Sequence, residues 1–257
     1  MAYLRDNDFF LDVEDGIVPG WSHVHKFGKI YGLTTTLTPL TISGSYQVPT
    51  TAQSLEIVSS SVNDAAAGTG ARTVTITGLD ANWDEVSVDV TMNGTTVVNV
   101  TGTWFRVYRV RVKTSGTYAS ATSSSHAGTI TVRTAAGASV WSQLYVDAGF
   151  GLGQSLIGCY TVPDGYEAYI YPQYISVEAT KVVSGYFFVR EGADTVSAPY
   201  TPMQVKESYE FVEGFNNMDQ NMPIGIYQAR TDIGYMVKTA SGTATVSVAF
   251  DIYLKAV

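Results

Sequence analysis

The 257-residue chain has one cysteine, Cys159, and a single thiol excludes an intramolecular disulfide framework. Its neighbours Ile157, Gly158 and Tyr160 describe a small core residue at a strand start, not a nucleophile. Charge is scarce as well: Asp, Glu, Lys and Arg make up 15% of the residues, against about 25% in an ordinary soluble domain. Cations are the scarcer sign, and a formal net charge of −8 argues against broad contact with nucleic-acid phosphates, which needs clustered Lys and Arg. No window approaches the ~18 consecutive apolar residues of a membrane-spanning helix. Arg5, Asp6, Asp8, Asp12, Glu14 and Asp15 interrupt the apolar run that a signal peptide would need, so a reducing cytosol is the expected place of folding. Helical periodicity is missing too. No apolar pattern at i, i+3, i+4, i+7 lasts three turns.

What is present is strand. Val74 and Ile76 share one face of Thr73–Thr77, and Val86, Val88, Val90 and Met92 repeat at period two. Asn93-Gly94 separates that run from Thr95–Val100, and both residues tolerate the positive φ of a two-residue hairpin turn. Near the C-terminus Val246, Val248, Phe250, Ile252 and Leu254 alternate with polar or small residues, which predicts a strand with one buried face. Further strands are expected at 45–49, 54–60, 104–113, 128–134, 140–147, 166–178, 181–190, 207–213 and 226–238. Many short strands with turn residues between them point to an all-β chain of two antiparallel β-sandwich, jelly-roll-like domains.

Composition divides the chain. Residues 34–140 are rich in Thr, Ser, Val and Gly and carry no net charge, whereas 141–257 hold 12 of the 17 tyrosines and a charge of −6. The expected units are therefore an extended N-terminal arm at 1–33, one sandwich at 34–140 and a second at 141–257. The arm mixes acidic residues with Phe9, Phe10, Leu11, Trp21 and Phe27, which must dock on a surface, either the chain's own or a neighbour's. Deleting residues 1–30 is expected to leave both sandwiches folded and to abolish attachment to a partner.

Few residues suggest chemistry. His23-Val24-His25 offers two imidazoles from one side of a strand, yet no Cys or Glu lies at ligand spacing, so no metal is expected. Three histidines in arm and loop sequence do not make a Ser/His/Asp set, and no Gly-x-Ser-x-Gly elbow occurs. Gly149-Phe150-Gly151-Leu152-Gly153 lacks the following helix that a phosphate loop requires. No catalytic residue and no cofactor is assigned. Arg109, Arg111 and Lys113 share one strand face opposite Tyr108, Val110 and Val112, a basic stripe that could meet an acidic neighbour or defend an edge. The aromatic load of the second half, from Tyr160 to Phe188, fits core or interface better than sugar stacking.

Gly16-Ile-Val-Pro-Gly-Trp-Ser-His-Val-His-Lys-Phe-Gly28, Gly70-Ala-Arg-Thr-Val-Thr-Ile-Thr-Gly-Leu-Asp80, Met92-Asn-Gly-Thr-Thr96, Phe105-Arg-Val-Tyr-Arg109, Gly128-Thr-Ile-Thr-Val132 and Tyr160-Thr-Val-Pro163 occur in that order. Together they resemble a recurrent set of virion proteins from the structural modules of tailed bacteriophages, notably aquatic and cyanobacterial ones, over about residues 9–171. The resemblance implies a non-enzymatic virion component assembled in the host cytoplasm. It brings no catalytic or cofactor residue with it. The expected role is a capsid decoration or cement protein, and the alternative is a tail fibre, collar or host-attachment part with a glycan-facing C-terminal domain. The expected partners are the major capsid protein or other virion proteins and further copies of the chain, as a trimer, with no nucleic acid and no membrane.

Overall fold

The computed structural model describes residues 8–43, 45–118, 124–218 and 222–257. The chain opens with a six-residue helix α1 (Phe9–Glu14), a long strand β1 (Trp21–Leu33) and a short β2 (Thr38–Pro39). Then come β3 (Gln53–Ser59), β4 (Ala71–Asp80), β5 (Glu85–Thr91), β6 (Val98–Ser115), β7 (Ile130–Thr134) and β8 (Val140–Leu144), with a small ribbon of β9 (Val146–Asp147) and β10 (Phe150–Gly151). The remainder carries β11 (Cys159–Thr161), β12 (Tyr166–Val177), β13 (Val183–Arg190), β14 (Gln204–Val212), β15 (Phe215–Asn217), β16 (Ile226–Tyr227), β17 (Asp232–Thr239) and β18 (Ala244–Ala256). The protein is all-β and its strands pair antiparallel, as its residue patterns predict.

The first large sheet runs β5-β4-β6-β3-β7-β8. Strand β6 makes it curl, because residues 98–104 pair with β3 while residues 104–115 pair with β4. Leu55, Ile57, Val74, Ile76, Trp104, Val110, Ile130 and Val132 fill the concave side, so period two in these strands becomes one buried face. The second half is a two-layer sandwich. One layer runs β1-β18-β12-β15 and the other β11-β17-β13-β14, with Ile170, Phe187, Tyr235, Val248 and Phe250 packed between them.

Several details depart from the sequence expectation. Residues 21–33 of the expected arm are a strand bonded to β18 from Trp21↔Lys255 to Leu33↔Ala244, and Ile30 and Leu33 are buried in the sandwich core. Val140–Leu144, at the expected boundary, pairs with β7 and so belongs to the first sheet. The curled sheet is thus inserted between β2 and β11 of the sandwich. Residues 45–49 form no strand. Asn93-Gly94 does turn, with Gly94 at φ +61°, but β5 and β6 do not pair. Gly94 N–H instead donates to Asp64 O, and Gly94 O accepts from Ser59 N–H, so the turn carries the chain across to β3. The tight hairpin is β4–β5, where the Asp80 carboxylate accepts from Asn82 and Asp84 N–H.

One close approach fixes the two sandwich layers, and one ion cluster joins the halves. Strand β1 passes so close to the 158 segment that a Cβ on Gly28 would lie 2.4 Å from Gly158 N, which only glycine permits. Beside it, Arg106 of β6 reaches into the sandwich and grips Asp232 of β17 with two bonds, Nε–Oδ1 at 2.8 Å and Nη2–Oδ2 at 2.9 Å. Arg190 of β13 adds Nε–Oδ2 at 3.0 Å, and Thr161 Oγ1 donates to Oδ1 at 2.6 Å. Burial opposes ionisation of Asp232, but the Arg106 and Arg190 charges and these bonds outweigh it and hold the carboxyl below its ordinary range.

Candidate functional site

Three surfaces stand out, two built around expected residues and one that sequence patterning missed. The first is the arm. Asp8 caps α1 by accepting from Phe10 and Leu11 N–H at 3.1 and 3.4 Å. The helix lies on the outer face of the β1-β18-β12 layer. Phe9 meets Trp21 edge-on at 4.9 Å, Phe10 meets Tyr253 at 5.0 Å and Tyr171 at 5.5 Å, and Trp21 meets Tyr169 at 5.0 Å. Phe27 is half-buried on β1, while Phe9, Phe10 and Leu11 keep an exposed side. In this single chain the described part of the arm thus docks on its own sheet, with residues 1–7 outside the described residues.

An ionic clasp holds the helix there. His23 Nδ1 pairs with Glu14 on α1, and its Nε2 lies 2.9 Å from Asp251 Oδ1 on β18 at an angle too poor for a hydrogen bond. His25 Nδ1 contacts the same oxygen at 2.8 Å. Burial alone would lower the His23 pKa, but Asp251 and Glu14 raise it above the usual 6.5. A raised folded-state pKa means that this stabilisation is complete below pH ~6.5 and lost as pH climbs through the raised value. The protection factor of the α1 amides, taken against the intrinsic exchange rate at each pH, is therefore expected to fall from pH 6 to pH 9. In His23→Gln it should be low at both, whereas an unchanged protection factor in the parent would contradict the clasp. Asp251, held low by both histidines against its own burial, keeps its charge throughout that window. Among the described residues no group of three or more His, Cys, Asp or Glu is placed to hold a metal.

The second surface is a groove between β1 and the outer face of β4–β5–β6. Its volume is about 280 Å³, and His23, His25, Lys26, Thr77, Glu85, Ser87, Arg109 and Arg111 line it. Alternation on β6 sends Arg109 and Arg111 to this face together, as the sequence spacing indicates. Lys113 lies outside, paired with Asp89. Arg109 Nη2 donates to His25 O at 2.7 Å, and no described residue bonds the Arg111 guanidinium. At the base, Lys26 is buried with Nζ donating to Tyr108 O at 2.7 Å, and burial with the nearby Arg109 charge pulls its pKa to about 7. The one acid, Glu85, is engaged by the Tyr108 hydroxyl and by Tyr160 at 3.3 Å. The groove is therefore electropositive within an acidic protein. It can take up a carboxylate or another oxyanion, but it presents no nucleophile and base in register. Cys159 is no such nucleophile, since burial pushes its thiol up to about 12.

The third surface is the opposite edge of the sandwich. Strand β14 closes its layer, and among the described residues its one strand partner is β13. Between residues 196 and 226 the described residues include eight large apolar side chains that are exposed, among them Phe211 at 75% and Phe215 at 67%. Phe211 also sits at φ +55°, a conformation that costs a bulky residue of order 1–3 kcal/mol. Sequence reasoning assigned 207–213 to a strand and passed over its exposure. An apolar strand looks the same whether its second edge is covered or bare. Phe211 and Phe215 flanking Glu213-Gly214 were the available signal, since a core strand seldom crowds rings and acids into a turn.

No protein-family model and no curated protein matches the sequence. Solved structures with partial likeness are viral capsid proteins. A structure of infectious bursal disease virus, Gt strain, is 11% identical, with 96% of this chain and 78% of that one covered at a TM-score of 0.23. The STIV MCP is 9% identical, with 89% and 96% covered at a TM-score of 0.22. Likenesses at that level establish neither a family nor a mechanism.

Proposed function

We propose that the chain is a phage virion structural protein, and within that class a capsid decoration or cement protein that binds the outer head surface and stabilises capsomers. The observation that carries this reading is the bare apolar edge at β14, a surface that an isolated protein normally shields. The net charge of −8 suits an exterior position away from packaged DNA. The arm rings Phe9, Phe10 and Leu11, exposed on one side, offer a second contact to the major capsid protein. An assembly role fits these surfaces, and the resemblance to phage virion proteins supports a phage particle. In purified virions, quantitative mass spectrometry is expected to find the chain at a copy number comparable to the major capsid protein. Particles assembled without it should lose heat resistance, and unchanged resistance would refute the cement role.

A tail component is the second reading, favoured by Trp21, Tyr169, Tyr171 and Tyr253 gathered on one outer sheet face, where a sugar could stack if α1 lifted away. Low copy number with retained heat resistance would select it.

A further inference from the structure

We infer that the bare β14 edge of one copy docks into the basic groove beside β1 of a second copy, so that copies join head to tail. This deepens the assembly reading above by naming one partner of that edge, a second copy of this chain.

The topology puts the two surfaces at opposite ends of one sandwich. Strand β1 begins one layer, and β14 and β15 end the two layers on the other side. β14 offers a nine-residue backbone edge without proline that no second strand of the described residues pairs. The groove offers side chains beside β1 and not a second free edge, since His25 O accepts from Arg109 Nη2 and Lys29 N–H donates to Leu156 O in addition to the bonds to β18.

Charge makes the two complementary and neither self-complementary. β14 and its following turn carry Glu207, Glu210 and Glu213 against Lys206, and Glu210 is exposed, with the Tyr186 hydroxyl bonded to it at 2.6 Å. The groove carries Arg109 and Arg111, the latter with no bond from a described residue, while its own acid Glu85 is taken by two phenols. Two β14 edges facing each other would bring six glutamates together, which disfavours a symmetric dimer through that edge. An edge in a groove instead pairs acid with guanidinium and covers Phe211 and its apolar neighbours. A contact between two different patches leaves one of each unused at every step, so assembly goes on until a ring closes. The trimer expected of a decoration protein is the smallest such ring.

The test uses the full chain, purified alone, in sedimentation velocity and native mass spectrometry across a salt series. The expected result is a species of three or more copies that weakens as salt rises. Arg111→Glu alone and Glu210→Arg alone should each raise the dissociation constant at least ~10-fold. The combined variant, with the charges exchanged, should recover most of the loss. Phe211→Gly removes the positive-φ strain, so it should raise thermal stability while weakening assembly, which separates lost assembly from lost folding. A monomer at every concentration, a symmetric dimer, or single variants that assemble like the parent would each overturn the inference. A monomer that still coats undecorated heads would assign the edge to another virion protein and leave the virion reading intact.

Discussion

Asp232→Ala is expected to lower the thermal midpoint by on the order of 10 °C. The change strands Arg106, whose side chain is fully buried, and removing one partner of a buried ion pair costs about 3–5 kcal/mol. In a chain of this size each kcal/mol shifts the midpoint by roughly 2–4 °C. Arg190→Ala should cost much less, because Arg190 is partly exposed and Asp232 keeps both bonds to Arg106. The pair also sets an acid limit. The carboxyl is depressed in the folded protein, so its contribution is complete above the unfolded value near pH 4 and disappears as pH falls below it. Arg106 belongs to the curled sheet and Asp232 to the sandwich, so the loss should extend to their junction, where Trp83 stacks on Phe105 at 4.5 Å and lies 5.1 Å from the Arg106 guanidinium. Calorimetry of the parent and both variants decides the matter, and equal midpoints for Asp232→Ala and the parent would refute the account.

Two truncations separate the helix from the strand. Removing residues 1–20 takes away α1 and its ring contacts but leaves β1 on β18, so circular dichroism should keep its β signal with a modest fall in midpoint. Removing residues 1–33 should abolish the native fold. It strips the edge from β18 and takes Ile30 and Leu33 out of the core, at roughly 1.5–3 kcal/mol for each buried side chain. The eleven paired positions of β1 are lost with them, and the whole of a domain's stability is only about 5–15 kcal/mol. This outcome replaces the expectation that the chain without its first 30 residues keeps two folded sandwiches. A cooperative unfolding transition in the longer truncation would show that β1 is dispensable.

The reason for that reversal lies in what a residue pattern encodes. Ile30 and Leu33 belong to a strand broken by Gly28 and Gly32, and glycine in a strand weakens any period-two signal. At Gly28 the glycine is there because Gly158 passes close by, a contact between residues far apart in sequence. Asn93-Gly94 shows the same limit. The dipeptide specifies positive φ, which Gly94 has, but the strands beside it are chosen by Ser59 at the end of β3 and Asp64 in the loop that follows, which bond the turn.

The sequence by itself determined the all-β character, most strand positions, the shared face of Arg109 and Arg111 and the core face of Val246–Leu254. Each of these follows from local alternation, which places successive side chains on opposite sides of a strand whatever the partner. Only the tertiary structure decided which strands are neighbours, that the curled sheet is inserted into the sandwich, that Arg106 and Asp232 meet, and that β14 is left bare while β1 faces a basic groove. Those outcomes depend on pairing between distant segments, and the hydrogen-bonding edge of a strand is backbone, identical from residue to residue.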